Sequence, residues 1–243
     1  MDEMTNSSVV GRLLEEISWE GNARRYREGG RGRENVLTAE VLMPLAYLPR
    51  NRFLGELFRR AHGADAARGV VADEVEKAEF TLLPGDVFVG PEGAVQVQPD
   101  GYLSSESALV LVEAKRIRSA SFQQKQLAKE LLAVVQEAGE RTPLLLLILG
   151  SPPPVRVKRT GPVELLEAVV GDLEAVAERA DWTGPPVADL VERVPEIVAW
   201  LTWEEIRNLV TEQRRAGPEL PPEMEGTVER LCEAVTSAID WHS

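Results

Sequence analysis

The 243-residue chain carries 27 Lys and Arg against 40 Asp and Glu, a net charge of −13, with 44% hydrophobic and 28% charged residues. That is the composition of a soluble globular protein long enough to bury a sizeable core, of one domain or one and a half by size. One cysteine and two histidines exclude an internal disulfide and a zinc cluster and leave little for histidine chemistry.

The longest strongly apolar run, Leu144 to Leu149, is too short to span a bilayer, and the acidic start MDEMTNSSVVGRLLEEI lacks the build of a signal peptide. A cytoplasmic location with no membrane partner is expected. The charge is uneven: residues 1–159 hold 21 Lys and Arg against 22 Asp and Glu, whereas residues 160–243 hold 6 against 18. The acidity belongs to the last third and does not argue against nucleic-acid contact by the rest. Basic residues gather as Arg24 to Arg33, as Lys115, Arg116, Arg118, Lys125 and Lys129, and as Arg156, Lys158 and Arg159.

In chain order, residues 9–20 alternate apolar and acidic positions as a short amphipathic helix does, and the Arg/Gly-rich stretch from Gly21 to Gly32 reads as a link. Leu37, Val41, Leu45 and Leu48 then mark a helix with Glu34 within its apolar face and Glu40 at its flank. Pro49-Arg50-Asn51-Arg52 ends it, and Phe53 to His62 makes a second, shorter helix. Strands are expected over Ala78 to Leu83 and Ala94 to Val97, bounded by Pro84-Gly85-Asp86 and by the turn from Gly90 to Gly93. Asp86 sits in a turn without a downstream partner and is set aside.

Pro99-Asp100 precedes a polar turn, Ser104 to Ser107, and then an apolar run, Leu109-Val110-Leu111-Val112, that ends in Glu113-Ala114-Lys115. Residues two apart on a strand share a face, so Glu113 and Lys115 project together with Leu109 and Leu111, while Val110, Val112 and Ala114 point the other way. A run apolar on both faces is a strand buried on both sides. The short turn lets the strand carrying Asp100 pair antiparallel with it, which sets Asp100 across from Glu113. Two adjacent carboxylates beside a lysine suit a hard divalent cation, magnesium or manganese, and metal-assisted phosphodiester hydrolysis.

A helix from about Ser119 to Ala138, capped by Ser119 or Ser121, presents Phe122, Leu127, Leu131 and Val134 or Val135 to the sheet and carries Gln123, Gln124 and Gln126. Pro143 to Gly150 follows as an apolar strand parallel to the Glu113 strand, since a helix connects them. Ser151-Pro152-Pro153-Pro154 marks a break. Beyond it, helices are expected from Val163 to Ala180, Val187 to Leu201, Trp203 to Ala216 and Glu223 to Trp241, with Trp182, Trp200, Trp203 and Trp241 read as core. There is no P-loop, dinucleotide fingerprint or Ser-His-Asp ordering.

Pro99-Asp100 followed by Glu113-Ala114-Lys115 resembles the signature of the PD-(D/E)XK nuclease superfamily, over roughly residues 30 to 150. The resemblance implies an α/β, restriction-endonuclease-like mixed four-stranded sheet flanked by helices. Here it would span 34–155, after an N-terminal helix and link over 1–33 and before an acidic helical region over 156–243. It further implies that Asp100 and Glu113 hold magnesium or manganese and that Lys115 positions or activates water. It makes Glu34, in preference to Glu40, a third acid, and Gln126, ahead of Gln123, a helix residue pointing back at the site. The expected activity is a metal-dependent nuclease of endonuclease type acting on DNA, with RNA left open. The alternative is a non-catalytic protein of this fold that binds a protein partner, or a second copy of itself, through residues 160–243.

Overall fold

The computed structural model describes residues 32–118, 121–123, 125–216 and 221–243. The helix expected over 9–20 and the link after it, up to residue 31, lie outside the described residues.

The architecture is α/β, a mixed sheet with helices on both faces. Its elements run α1 (Gly32–Tyr47), a π-helical turn (Asn51–Gly55), α2 (Glu56–Arg60), α3 (Asp65–Glu74), β1 (Glu79–Leu82), β2 (Val87–Val89), β3 (Val95–Val97), β4 (Gly101–Ser104) and β5 (Ala108–Ala114). They continue with α4 (Gln126–Ala138), β6 (Thr142–Leu149), β7 (Val155–Val157), β8 (Gly161–Val163), α5 (Leu165–Val170), α6 (Leu173–Ala180), α7 (Val187–Ile197), β9 (Val198–Thr202), α8 (Trp203–Ala216) and α9 (Pro222–His242).

The main sheet has the order β1-β4-β5-β6-β9. β4 is antiparallel to β1 and to β5, whereas β5, β6 and β9 are parallel to one another. β5 lies at the centre with every residue buried, as its doubly apolar run requires. The alternation along it sorts the two halves of the core. Leu109 and Leu111 join α4 and α5 to α7 on one face, while Val110, Val112 and Ala114 join α1 to α3, α8 and α9 on the other. β6 repeats the pattern, with Leu145 and Leu147 on the α4 side and Leu144, Leu146 and Ile148 opposite.

The sheet has five strands rather than the four expected: β9 adds one, and β4 takes the place in the sheet expected for Ala94 to Val97. Val198 to Leu201 is expected at the end of a helix, but α7 stops at Ile197 and the run Val-Ala-Trp-Leu-Thr pairs with β6 as β9. Pro195 near the end of α7 removes a helical donor, and the β-branched and aromatic residues after it suit a largely buried strand. Conversely, Val95–Val97 stays out of the main sheet and forms a separate ribbon with β2. Its Val95 and Val97 pack into the α4 side of the core.

Three further departures are local. The helix expected from Val163 breaks at Gly171-Asp172 into α5 and α6. The segment expected as a helix from Phe53 begins as a π-helical turn, and α3 follows it unpredicted. Of the tryptophans read as core, Trp203 is fully buried, whereas Trp241 at the end of α9 is 85% exposed.

Candidate functional site

β4 and β5 pair with Gly101 opposite Val112, so Asp100, one residue before β4, stands opposite Glu113. The backbone amide of Asp100 donates to the carbonyl of Val112 at 2.9 Å. Its carboxylate Oδ2 in turn accepts the amide of Ala114 at 2.7 Å. Asp100 therefore closes the end of the hairpin while its carboxylate lies beside the Glu113-Ala114-Lys115 segment. Both features were legible in the strand periodicity and the short turn.

Lys115 leaves β5 with its amide held by the carbonyl of Ile148 at 2.8 Å. Its own carbonyl accepts the indole N–H of Trp203 at 2.6 Å, which ties the segment to the start of α8. The Lys115 ammonium donates to Glu113 Oε1. The same oxygen receives the side-chain amide Nε2 of Gln126 at 2.6 Å. The Phe122 ring flanks the ammonium, with its centroid 5.1 Å from Nζ, a cation–π distance. Asp100, Glu113 and Lys115 are exposed by only 7%, 4% and 7%. Ionised groups this buried require partners, and the cluster supplies them internally.

Gln126 is the first residue of α4, where its amide links the loop to the site. Its Oε1 accepts the backbone amide of Gln123 at 3.1 Å, and its own backbone amide donates to the Gln123 carbonyl at 3.1 Å. That exchange turns Nε2 toward Glu113. Gln123, the runner-up from sequence, is exposed and serves the loop through its backbone. The helix begins here rather than near Ser119 because Phe122 is held in extended form against β7. No serine side chain caps α4: Ser119 lies outside the described residues, and the cap position is Lys125, with φ of 65° and no side-chain hydrogen bond.

Glu130 belongs to the same cluster, and sequence reasoning missed it. It follows Gln126 by four residues and so lies on the same face of α4. It is 3% exposed, and its Oε2 has no hydrogen-bond partner among the described residues. Burial pushes its carboxyl well above the usual carboxylate range, and the Glu113 charge adds to the push. Lys115 and Gln126 pull the other way, and Asp100 raises it further. The available signal was a glutamate within the apolar stripe of Leu127, Leu131 and Val134.

Of the remaining expected acids, Glu34 has its backbone in the first turn of α1 and its side chain outside the described residues. Glu40 is exposed and bonds His242 at 3.0 Å. Asp86 is exposed. Among the described residues, no group of three or more His, Cys, Asp or Glu side chains is arranged to hold a metal ion. The oxygen donors brought together are Asp100 and Glu113 at the ends of adjacent strands, and Glu130 lies close enough for both their charges to raise its carboxyl.

None of the described helices is long and apolar enough to cross a membrane. No protein-family model, curated protein or solved structure matches this chain.

Proposed function

We propose that the chain is a metal-dependent nuclease of the PD-(D/E)XK type that hydrolyses DNA phosphodiester bonds with an activated water. The observation that carries the reading is the convergence of Lys115 and Gln126 on one oxygen of Glu113, with Asp100 opposite on the neighbouring strand. A buried acid, a buried acid–lysine pair and an oriented amide at a strand terminus are the parts such a hydrolysis needs.

The donor set suits magnesium or manganese. These ions take oxygen ligands, and magnesium is commonly held by one or two carboxylates while water and substrate phosphate complete the shell, so a three-residue protein cage is not required. The unsatisfied Oε2 of Glu130 adds a buried acceptor that a cation, or water bound to one, would satisfy. When bound, the metal supplies charge stabilisation at the scissile phosphate and a more acidic water.

In this reading Asp100 and Glu113 hold the ion, and Glu34 is a third acid. Lys115 keeps its proton at Nζ, where it offers hydrogen bonds to the attacking water and to charge growing on the phosphate. Gln126 fixes the rotation of the Glu113 carboxylate, and Phe122 and the apolar face of α4 limit water around the ammonium.

A second reading is a non-catalytic protein of the same fold that acts by binding a protein partner through its acidic helical region. The closed Glu113–Lys115 pair favours it, since a pair satisfied internally can be structural. Calorimetric titration with magnesium and manganese separates the two. Binding by the wild type that is lost in Asp100→Ala supports the nuclease, and no binding supports the second reading.

A further inference from the structure

We propose that the β7–β8 hairpin is a phosphate-binding arm, with Arg156, Lys158 and Arg159 contacting the backbone of the nucleic acid presented to Lys115. The inference rests on the nuclease reading and adds a binding surface that the sequence places well away from Lys115.

The backbone joins the hairpin to the site. Phe122 donates its amide to the Arg156 carbonyl at 2.8 Å and accepts the Lys158 amide at 3.0 Å, so the two basic residues bracket it. The ring of this same Phe122 lies 5.1 Å from the Lys115 ammonium. One residue thus touches the proposed catalytic lysine with its side chain and holds the basic hairpin with its backbone.

The hairpin presents its charge outward. Val155 anchors β7 in the core, while Arg156, Lys158 and Arg159 are exposed. Arg156 lies in the middle of β7, and Lys158 opens the turn that follows it. Arg159 occupies the turn with φ of 71°, a left-handed position at which glycine or asparagine is the usual choice. None of the three forms an ion pair or side-chain hydrogen bond with another described residue. By contrast, the exposed Arg59, Arg60 and Arg214 and the half-buried Arg207 each pair with a carboxylate.

The surroundings carry the same sign. Residues 115–159 hold nine Lys and Arg against three Asp and Glu, in a chain of net charge −13. Of those nine, Arg116, Arg118 and Lys125 lie on the loop that Phe122 joins to the hairpin. A cationic stripe beside a hydrolytic site, on an acidic protein, matches a polyanion whose affinity derives from its phosphates.

The test measures binding and cleavage separately on the full chain. Binding of a labelled duplex and of a labelled single strand is followed by fluorescence anisotropy in chelator across a salt series. The proteins compared are the wild type, a hairpin triple variant (Arg156→Gln, Lys158→Gln, Arg159→Gln) and a charge-matched control (Lys77→Gln, Arg179→Gln, Arg215→Gln), each checked by thermal melting.

The expected result is a hairpin variant that binds roughly 10- to 100-fold more weakly near 0.1 M salt, with the slope of log affinity against log salt reduced by about 2 to 3, and a control close to wild type. A hairpin variant that binds like the control overturns the inference, as does wild type that binds anionic vesicles but no nucleic acid. Metal-dependent cleavage with unaltered hairpin binding would leave the nuclease reading standing without the arm. Hairpin-dependent binding without cleavage in any metal would leave the arm and remove the nuclease.

Discussion

Gln126 holds Glu113 from the start of α4: its Nε2 lies 2.6 Å from the same Oε1 that receives the Lys115 ammonium, and its Oε1 is taken by the Gln123 amide. Both ends of the side chain are used, so the amide acts as a fixed strut between a helix and a strand end. If Glu113 ligates the ion as proposed, a residue that orients it in this way accounts for about 10- to 100-fold in affinity or activity. Gln126→Ala is therefore expected to slow cleavage by about that factor while its thermal midpoint stays close to wild type. Cleavage at the wild-type rate would remove Gln126 from the site.

Glu130 is expected to reduce stability. An unsatisfied buried polar atom costs about 1–3 kcal/mol, so Glu130→Met should stabilise the fold by an amount of that order, read from denaturant or thermal unfolding. The pH dependence gives a second check. Burial raises this carboxyl well above its ordinary value of 4.5 in the folded protein. Above that value the folded state therefore keeps a proton that the unfolded chain releases, and stability falls as pH rises toward the raised value. Glu130→Met should lose that decline. If Glu130 also serves the ion, the more stable variant should bind magnesium less well.

Gly150 guards the segment after Lys115. A Cβ built on it would lie 2.4 Å from the carbonyl oxygens of both Arg116 and Ile117, which are backbone atoms that cannot swing aside. Gly150→Ala should displace the basic loop, cost about 1–3 kcal/mol as overpacking does, and reduce cleavage through Lys115. Unfolding midpoints and cleavage rates measured together would show both effects.

Much of the site was readable because strand geometry is strict. A period of two assigns Leu109 and Leu111 to one layer of the core and Val110 and Val112 to the other, and the same count places Glu113 across from Asp100. The crossover rule likewise gave β6 its parallel direction. What escaped is tertiary in origin. The extended bridge of Phe122 to Val157 delays α4 to Gln126, and no local feature of residues 119–125 announces a partner some 35 residues onward. β9 escaped because Val198 to Leu201 continues the apolar spacing of α7, and only pairing with β6 makes it a strand. Glu130 was hidden by its neighbours, since a lone acid in an apolar stripe reads as a flank residue until burial shows otherwise.

The junction of β9 and α8 is a capping box. Glu205 Oε2 accepts the Thr202 backbone amide at 2.7 Å, and Thr202 Oγ1 accepts the Glu205 amide at 3.2 Å. Its other oxygen lies 2.7 Å from His62 Nε2, whose ring stacks on Trp200. Partial burial raises the Glu205 carboxyl, but the hydrogen bonds from His62 and Thr202 outweigh it, and the net shift is downward. A lowered carboxyl contributes stability above its unfolded value that is lost as pH falls through the folded one. Glu205→Ala should cost about 1 kcal/mol near neutral pH and lose less stability than wild type on acidification, as thermal melts across a pH series would show.

The nuclease reading stands or falls on incubation of the full chain with supercoiled plasmid, linear duplex, single-stranded DNA and RNA, in magnesium, manganese or chelator, beside Lys115→Met and Lys115→Arg proteins whose folding is checked by thermal melting. Cleavage of DNA is expected to require metal and to fall by about 10²- to 10⁴-fold in folded Lys115→Met. Cleavage that persists at the wild-type rate in Lys115→Met or in chelator would contradict it, as would wild type that leaves every substrate intact in both metals.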